Sequence, residues 1–370
     1  MQLTFISLNW IKQFFLLGIA AVLLTACAKY AVFPADPAFK TGLNENNSPL
    51  LHEIYLIGDV GEDSEDSEAA LNALKNQTLL SNREENAVIF LGDNIYPEGM
   101  HKKDHPSRKI DEARIDAQIS AVQDFKGEVV FIPGNHDWRK GKEGGYKAVK
   151  RQEEYVQKVL DKKVFLPSNG CSGPNTIELS DKLILVFIDT QWWLHNHRKG
   201  QGEKDDCPLS NKEEYIAAFQ EILKKNRHKH IVVSGHHPLF SNGVHGSYFT
   251  WKDHLFPLRN VDSKWWIPMP IIGSIYPYYR SFLGNRQDIA HPDYQAMKRA
   301  LMQSMSSYDN VIFASGHEHN QQYQFQNGVH QIIAGSGSKV TPLSNNKQLK
   351  FGATKKAMRK SPFMKMARYG

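Results

Sequence analysis

Cysteine is scarce, with three among 370 residues. A small disulfide scaffold is excluded, and a chain of this length buries enough apolar surface not to need one. Long apolar runs are short in supply too: residues 14–24 form a run of eleven, against the roughly 20 that a spanning helix requires. Repeats and low-complexity tracts are absent, and 26 Gly with 17 Pro lie near ordinary usage, which excludes collagen-like and disordered classes. Acidic residues are missing from 339–370, where nine Lys/Arg stand, while the rest of the chain holds 36 basic against 39 acidic side chains. The net charge of +6 is therefore a property of one terminal segment. Without a protein-wide basic field or interleaved stacking residues, no nucleic-acid platform is expected.

What is present begins with an export-like start. Lys12 flanks the apolar run, which ends in Leu24-Thr25-Ala26-Cys27. This resembles the lipobox of bacterial lipoproteins. The resemblance implies a signal peptide at 1–26, a lipidated Cys27 as the membrane attachment, and a location in the bacterial cell envelope. Residues 27–50, with Pro34, Pro37 and Pro49, are expected to form a polar tether. Cys171 and Cys207 are then the remaining thiols, and in an oxidising envelope they can pair.

Short apolar runs at 54–57, 87–91, 129–132, 183–188, 231–233, 311–314 and, less clearly, 330–333 predict buried strands. Helical spacing occupies 68–80, 111–125, 146–160 and 212–223. Alternation of this kind predicts a layered α/β domain over 51–345, with an aromatic-rich insertion at 251–291 and a basic segment at 346–370. The acidic run from Glu62 to Glu68 is expected to be a solvated loop leading into a helix. The chain stops at Ala367-Arg368-Tyr369-Gly370 without a clear terminating signal.

Five of the strand runs lead into Gly plus metal-ligating residue types: Gly58-Asp59, Gly92-Asp93, Gly134-Asn135-His136-Asp137, Gly235-His236 and Gly316-His317-Glu318-His319. In α/β sheets, ligands gather beyond the carboxyl ends of strands, so these residues are expected to meet. Asp, Asn, His and Tyr are hard or borderline donors, and two cations sharing a carboxylate can drive in-line displacement at phosphorus.

Together with Asn94-Ile95-Tyr96, the series resembles the calcineurin-like binuclear metallophosphoesterases, and within them the small, tartrate-resistant type of purple acid phosphatase. The resemblance implies a four-layer αββα sandwich of two mixed sheets flanked by helices. It implies hydrolysis of phosphate monoesters on a small phosphorylated substrate by a metal-bridging hydroxide. Phosphodiester hydrolysis at the same metals, on a nucleotide or lipid head group, and a non-catalytic surface-binding role are the alternatives. Most of the wider family has Asp-x-His where this chain has Asp59-Val60-Gly61; Tyr96 makes up the missing donor and suits Fe(III). By the same resemblance Asp59, Tyr96 and His319 hold Fe(III), Asn135, His236 and His317 hold a divalent Fe, Zn or Mn ion, and Asp93 bridges. His136 is expected to contact the phosphate or leaving-group oxygen, with Asp137 orienting its ring, and His245 to act as a second catalytic histidine. His237 stands where relatives commonly have an aromatic and is expected to form wall or substrate contact. The insertion, with Trp265, Trp266, Tyr276 and Phe282, is expected either to cover the metals or to pack as a local core, and Trp192-Trp193 is placed near the same rim.

Overall fold

The computed structural model describes residues 28–33, 51–262, 264–354 and 364–367. The export signal, Cys27 and residues 34–50 lie outside them. The first half runs β1 (Val32–Phe33), β2 (Glu53–Ile57), α1 (Glu65–Leu80), β3 (Ala87–Phe90), α2 (Arg108–Val122), β4 (Glu128–Phe131) and α3 (Gly145–Leu160). There follow β5 (Asn175–Ser180), β6 (Leu183–Phe187), α4 (Thr190–Leu194), α5 (Lys212–Lys225), β7 (His230–Ser234), α6 (Trp251–Leu255), α7 (Ile275–Phe282) and α8 (Pro292–Met305). The described chain closes with β8 (Val311–Ser315), β9 (Gln321–Gln326), β10 (Val329–Ala334), β11 (Leu349–Ala353) and β12 (Met364–Ala367).

Two mixed sheets result. One has the order β12-β2-β3-β4 and the other β1-β11-β9-β10-β8-β7-β6-β5. Strands β2, β3 and β4 are parallel, as are β6, β7, β8 and β10, while the outer strands run antiparallel. Both faces of the central strands are covered, which is why β2 and β6 read as unbroken apolar runs rather than alternating ones. Ile54, Leu56 and Ile89 of the smaller sheet meet Leu185, Phe187 and Val232 of the larger. The opposite face of the smaller sheet, with Tyr55, Val88 and Phe90, packs on Leu74, Ile115 and Val149 of α1 to α3. Val186, Val233 and Phe313 on the outside of the larger sheet pack on Phe219 of α5 and Leu301 of α8. The layers are therefore helix, sheet, sheet, helix, as the resemblance implies.

Helix starts follow local chemistry. Ser64 caps α1 by accepting from the Ser67 amide, with Glu65, Asp66 and Glu68 in the first turn, so the acidic run does sit against the positive end of a helix. Cys171 and Cys207 are joined in a disulfide. Two expected boundaries move. Residues 28–33, expected in the tether, dock on the domain: Ala28 N donates to Phe249 O at 3.1 Å, and Val32 and Phe33 pair with Ala353 and Gly352. The basic segment contributes β11, which runs antiparallel to β9, so the folded region continues past 345. In both cases a short segment adds to the growing sheet through its backbone, β11 on β9 and β1 on β11.

Candidate metal centre

Five parallel strands from the two sheets end at one place. Strands β2, β3 and β4 deliver Asp59, Asp93 and Asn135; β7 and β8 deliver His236 and His317. The turns that aim these side chains are tight, and Asp59, Asp93 and His317 all adopt positive φ (60°, 55° and 67°). Such conformations cost on the order of 1 kcal/mol each in residues with a Cβ and persist where surrounding contacts over-determine them. Gly316 permits a close approach between the sheets, because a Cβ there would lie 2.5 Å from Asp59 Oδ2. Gly61 is fixed for a similar reason: a Cβ at that position would meet the Asn94 carbonyl carbon at 2.2 Å. No histidine could take this place in the Asp-x-His pattern without rebuilding the turn.

The seven expected donors converge. Tyr96 Oη lies 3.1 Å from Asp59 Oδ1 and 3.2 Å from His319 Nε2, and His319 Nε2 lies 3.4 Å from Asp59 Oδ1. On the other side Asn135 Oδ1 is 2.9 Å from His236 Nε2 and 3.0 Å from His317 Nδ1. Asp93 stands between the two groups, 3.4 Å from His236 Nε2 through Oδ1, and ligand atoms of Asp59, Asp93 and His236 all lie within 4.8 Å of one another.

Proton bookkeeping shows that this set fits cations. His236 Nδ1 faces the Leu91 carbonyl at 2.8 Å and His317 Nε2 faces the Gln287 carbonyl at 2.8 Å. A carbonyl only accepts, so each of these nitrogens carries the hydrogen, and in a neutral ring the other nitrogen presents a lone pair. Two ring lone pairs and the Asn135 Oδ1 therefore point at one another. A bound cation resolves that repulsion, and carbonyls anchoring the far ring nitrogens are the usual support of a histidine ligand. Without a cation, protons take its place: burial works against ionised His236, but Asp93 and Asp59 outweigh it and push its pKa up to about 9. Burial acts to raise the Asp93 carboxyl, yet the neighbouring His236 and His136 hold it below the carboxylate range. The Tyr96 phenol is driven well above its ordinary value by burial and by Asp59 and Asp93, so ionising it requires positive charge at the site.

His136 lies beside this centre, its Nε2 3.8 Å from Asp93 Oδ2. Its ring is oriented by the Pro97 carbonyl, which accepts from Nδ1 at 2.7 Å, and not by Asp137. The Asp137 carboxylate instead accepts from the amides of Gly134, Asn94 and Ile95. It therefore pins the β3 and β4 turns together, a structural task that sequence similarity alone does not separate from a catalytic one. Burial and the Asp93 charge push this carboxyl up to about 7 against the pull of those amides.

His245 packs its ring against that of His317, centroids 4.0 Å apart, and holds Asp288 Oδ1 at 3.0 Å through Nδ1. His237 does not form the wall expected of it. It is fully buried, bonded to Thr190 Oγ1 at 2.8 Å and Gln287 Oε1 at 2.6 Å, and packs on the His317 ring. Three supporting groups are not among the residues expected from the sequence. Asp288 orders the His245 side, Gln287 fixes both His237 and His317, and buried Glu318 accepts from Ser241 Oγ and from the amides of Val244 and His245. Glu318 carries a readable signal, since of three consecutive residues after a strand the middle one turns away from its neighbours.

The centre opens into a pocket of about 430 Å³ lined by Asp93, Asn135, His136, Lys140, His245 and Arg286, among others. No aromatic of 251–283 lines it; the segment that follows, Asn285 to Gln287, does. Trp192 and Trp193 are buried against Tyr215 rather than at the rim.

Among solved structures the chain is similar to GAP50, the anchor in the inner membrane complex of Plasmodium, at 16% identity over 85% of this chain and 80% of that one, with a TM-score of 0.49. It is also similar to PhoD, at 13% identity over 79% of this chain and 57% of that one, with a TM-score of 0.42. A cold-active protein-tyrosine phosphatase of a psychrophile, Shewanella sp., aligns at 11% identity over 82% and 80%, with a TM-score of 0.25. No curated protein matches the chain. The calcineurin-like phosphoesterase family matches residues 52–263, a stretch that contains the turns of Asp59, Asp93, Asn135 and His236. The chain belongs to the calcineurin-like phosphoesterase family, whose members hydrolyse phosphoesters with bound metal ions.

Proposed function

We propose that the chain hydrolyses phosphate monoesters, in the manner of an acid phosphatase, with an Fe(III) and a divalent Fe, Zn or Mn ion. The convergence of ring lone pairs and carboxylates on two adjacent points carries this reading. Asp59, Tyr96 and His319 would hold Fe(III), Asn135, His236 and His317 the divalent ion, and Asp93 both. When bound, such a pair supplies an acidified water and offsets the negative charge that gathers on the phosphoryl oxygens during in-line attack.

The chain's own groups do the remainder. Lys140 and Arg286 place positive charge at the pocket wall and attract a phosphate dianion. His136, held at Nδ1 by Pro97, keeps Nε2 for a phosphoryl or leaving-group oxygen. Burial lowers its pKa against the opposing pull of Asp93, so its protonated form belongs to acid solution. With Nδ1 of His245 engaged by Asp288, Nε2 is left to pass a proton to the departing alkoxide. A second reading, phosphodiester hydrolysis, is favoured by the spread of Lys140, Asn285 and Arg286 around the opening. Turnover on p-nitrophenyl phosphate against its bis ester, after loading with iron and zinc, tests the choice. Faster monoester turnover is expected, a preference for the bis ester selects the second reading, and no turnover on either overturns both. Export and lipid attachment at Cys27 belong to the proposal on sequence alone; the intact mass of membrane-extracted protein tests them, since an unacylated chain retaining residues 1–26 contradicts them.

A further inference from the structure

We propose that the face formed by residues 251–283 docks on an anionic phospholipid bilayer. This segment is a folded unit rather than a loose loop. Met269 N donates to Leu255 O at 2.8 Å, and His254 Nδ1 meets Ser274 Oγ at 3.1 Å, tying α6 to the turn that begins α7. Yet its large side chains point outward. Trp265, Trp266, Ile271, Ile272, Tyr279 and Phe282 are between 47% and 76% exposed, and none of them lines the metal pocket. A soluble surface seldom leaves so many large apolar side chains of one short segment exposed without a partner.

The chemistry of the face selects that partner. Trp and Tyr, with apolar bodies and polar tips, are the side chains that settle at the membrane–water boundary. The exposed charged residues of 251–283 are Lys252 and Lys264, and Lys252 and Arg259 lie over the Trp266 ring at 5.6 and 3.9 Å. Its two carboxylates are both half-buried, and Asp253 is engaged in capping α6. Cations amid interfacial aromatics, without an exposed carboxylate, complement anionic head groups.

The course of the chain points the same way. Ala28, one residue after Cys27, is bonded through its amide to Phe249 O at 3.1 Å, two residues before α6 begins. Cys27, the lipid attachment proposed above, is therefore the chain neighbour of an amide anchored at the base of the aromatic face. Resting on that proposed attachment, a lipid chain on Cys27 brings this face within a few residues' reach of the membrane, and the second contact strengthens the first through effective concentration.

The full chain, reconstituted in vesicles of phosphatidylethanolamine and phosphatidylglycerol containing a brominated lipid, provides the test through tryptophan quenching. Trp138, Trp192 and Trp193 are buried, and Trp10, which falls within the signal peptide proposed at 1–26, is unchanged between variants, so quenching that belongs to the face is removed in a Trp251→Ser/Trp265→Ser/Trp266→Ser variant. The quenched emission is expected to fall at least about two-fold in that variant. A Lys252→Glu/Lys264→Glu variant, which keeps every tryptophan, is expected to lose a similar fraction only when phosphatidylglycerol is present. Quenching unchanged in both variants, or the same quenching in brominated vesicles of phosphatidylcholine alone, overturns the proposal. So does loss of the exposed-tryptophan signal through self-association of the full chain in detergent, because a second copy would then be the occupant.

Discussion

Tyr96 is the side chain on which the proposed Fe(III) site turns. Its phenol is buried between Asp59 and His319, where ionisation is unfavourable unless a strongly charged cation compensates. With Fe(III) at that position the phenolate should give a visible absorption band and a purple colour. Tyr96→Phe is expected to lose the colour while retaining most of its divalent metal; a variant that keeps the absorbance would remove Tyr96 from the ligand set. Asp288 acts one step further out. It holds His245 Nδ1 at 3.0 Å and Arg280 Nε at 3.0 Å, and although burial works to raise its pKa, these two partners keep it below the carboxylate range. Asp288→Asn removes the charge that positions His245. The expected result is about a ten-fold loss of kcat with a smaller change in KM and unaltered metal content, read from steady-state kinetics beside elemental analysis. Equal losses in metal content and kcat would assign Asp288 to the stability of the centre instead.

At the scale of elements, two features outside the centre make separable predictions. Glu153 of α3 is buried, accepts the Asn169 amide at 2.7 Å, and has its pKa pushed by burial from 4.5 to about 7. Below the lower value both folded and unfolded chains are protonated. Between the two, the unfolded chain releases its proton first, so stability falls as pH rises, by up to about 3 kcal/mol once the higher value is passed. Glu153→Gln is therefore expected to raise the melting temperature at pH 8 and to leave it nearly unchanged at pH 4; a variant less stable at pH 8 would contradict this. The Cys171–Cys207 disulfide closes a separation of 36 residues, and loops of that order limit the unfolded chain by about 3–4 kcal/mol. Reductant is expected to lower the melting temperature measurably while metal stoichiometry holds, because neither cysteine belongs to the ligand set. Metal loss on reduction would show that α4, whose Leu194 lines the pocket and which lies between the two cysteines, supports the centre more directly.

At the scale of the whole molecule, the site was legible because parallel sheets impose a rule: donors placed just after several strands must gather at one end. Asp59, Asp93, Asn135, His236 and His317 follow that rule, and the apolar runs that precede them were plain. What sequence could not show depends on shape. The buried strand β9 is rich in glutamine, and Gln322 finds partners in the Asn242 amide and in Asn320 only after folding. Helix α8 carried a signal in His291-Pro292, an N-cap followed by proline in the first turn, yet it directly follows the insertion expected at 251–291 and its helical spacing was not read. Asp137 and His237 took roles that similarity misassigned, because both face backbone and neighbouring side chains rather than the pocket. The strands at 32–33 and 349–353 were hidden by their shortness and by the proline and charge around them, since a strand joining a sheet's margin needs backbone partners more than a long apolar run.

The two-metal arrangement proposed for this site asks one thing of all these parts, that a shared carboxylate keeps a pair of cations together. Elemental analysis of the purified full chain beside Asp93→Ala measures it most directly. Two metal ions per chain are expected in the natural protein and a loss of both, with near-complete inactivity, in the variant. A single ion per chain, or an Asp93→Ala protein with undiminished metal and turnover, would contradict the account.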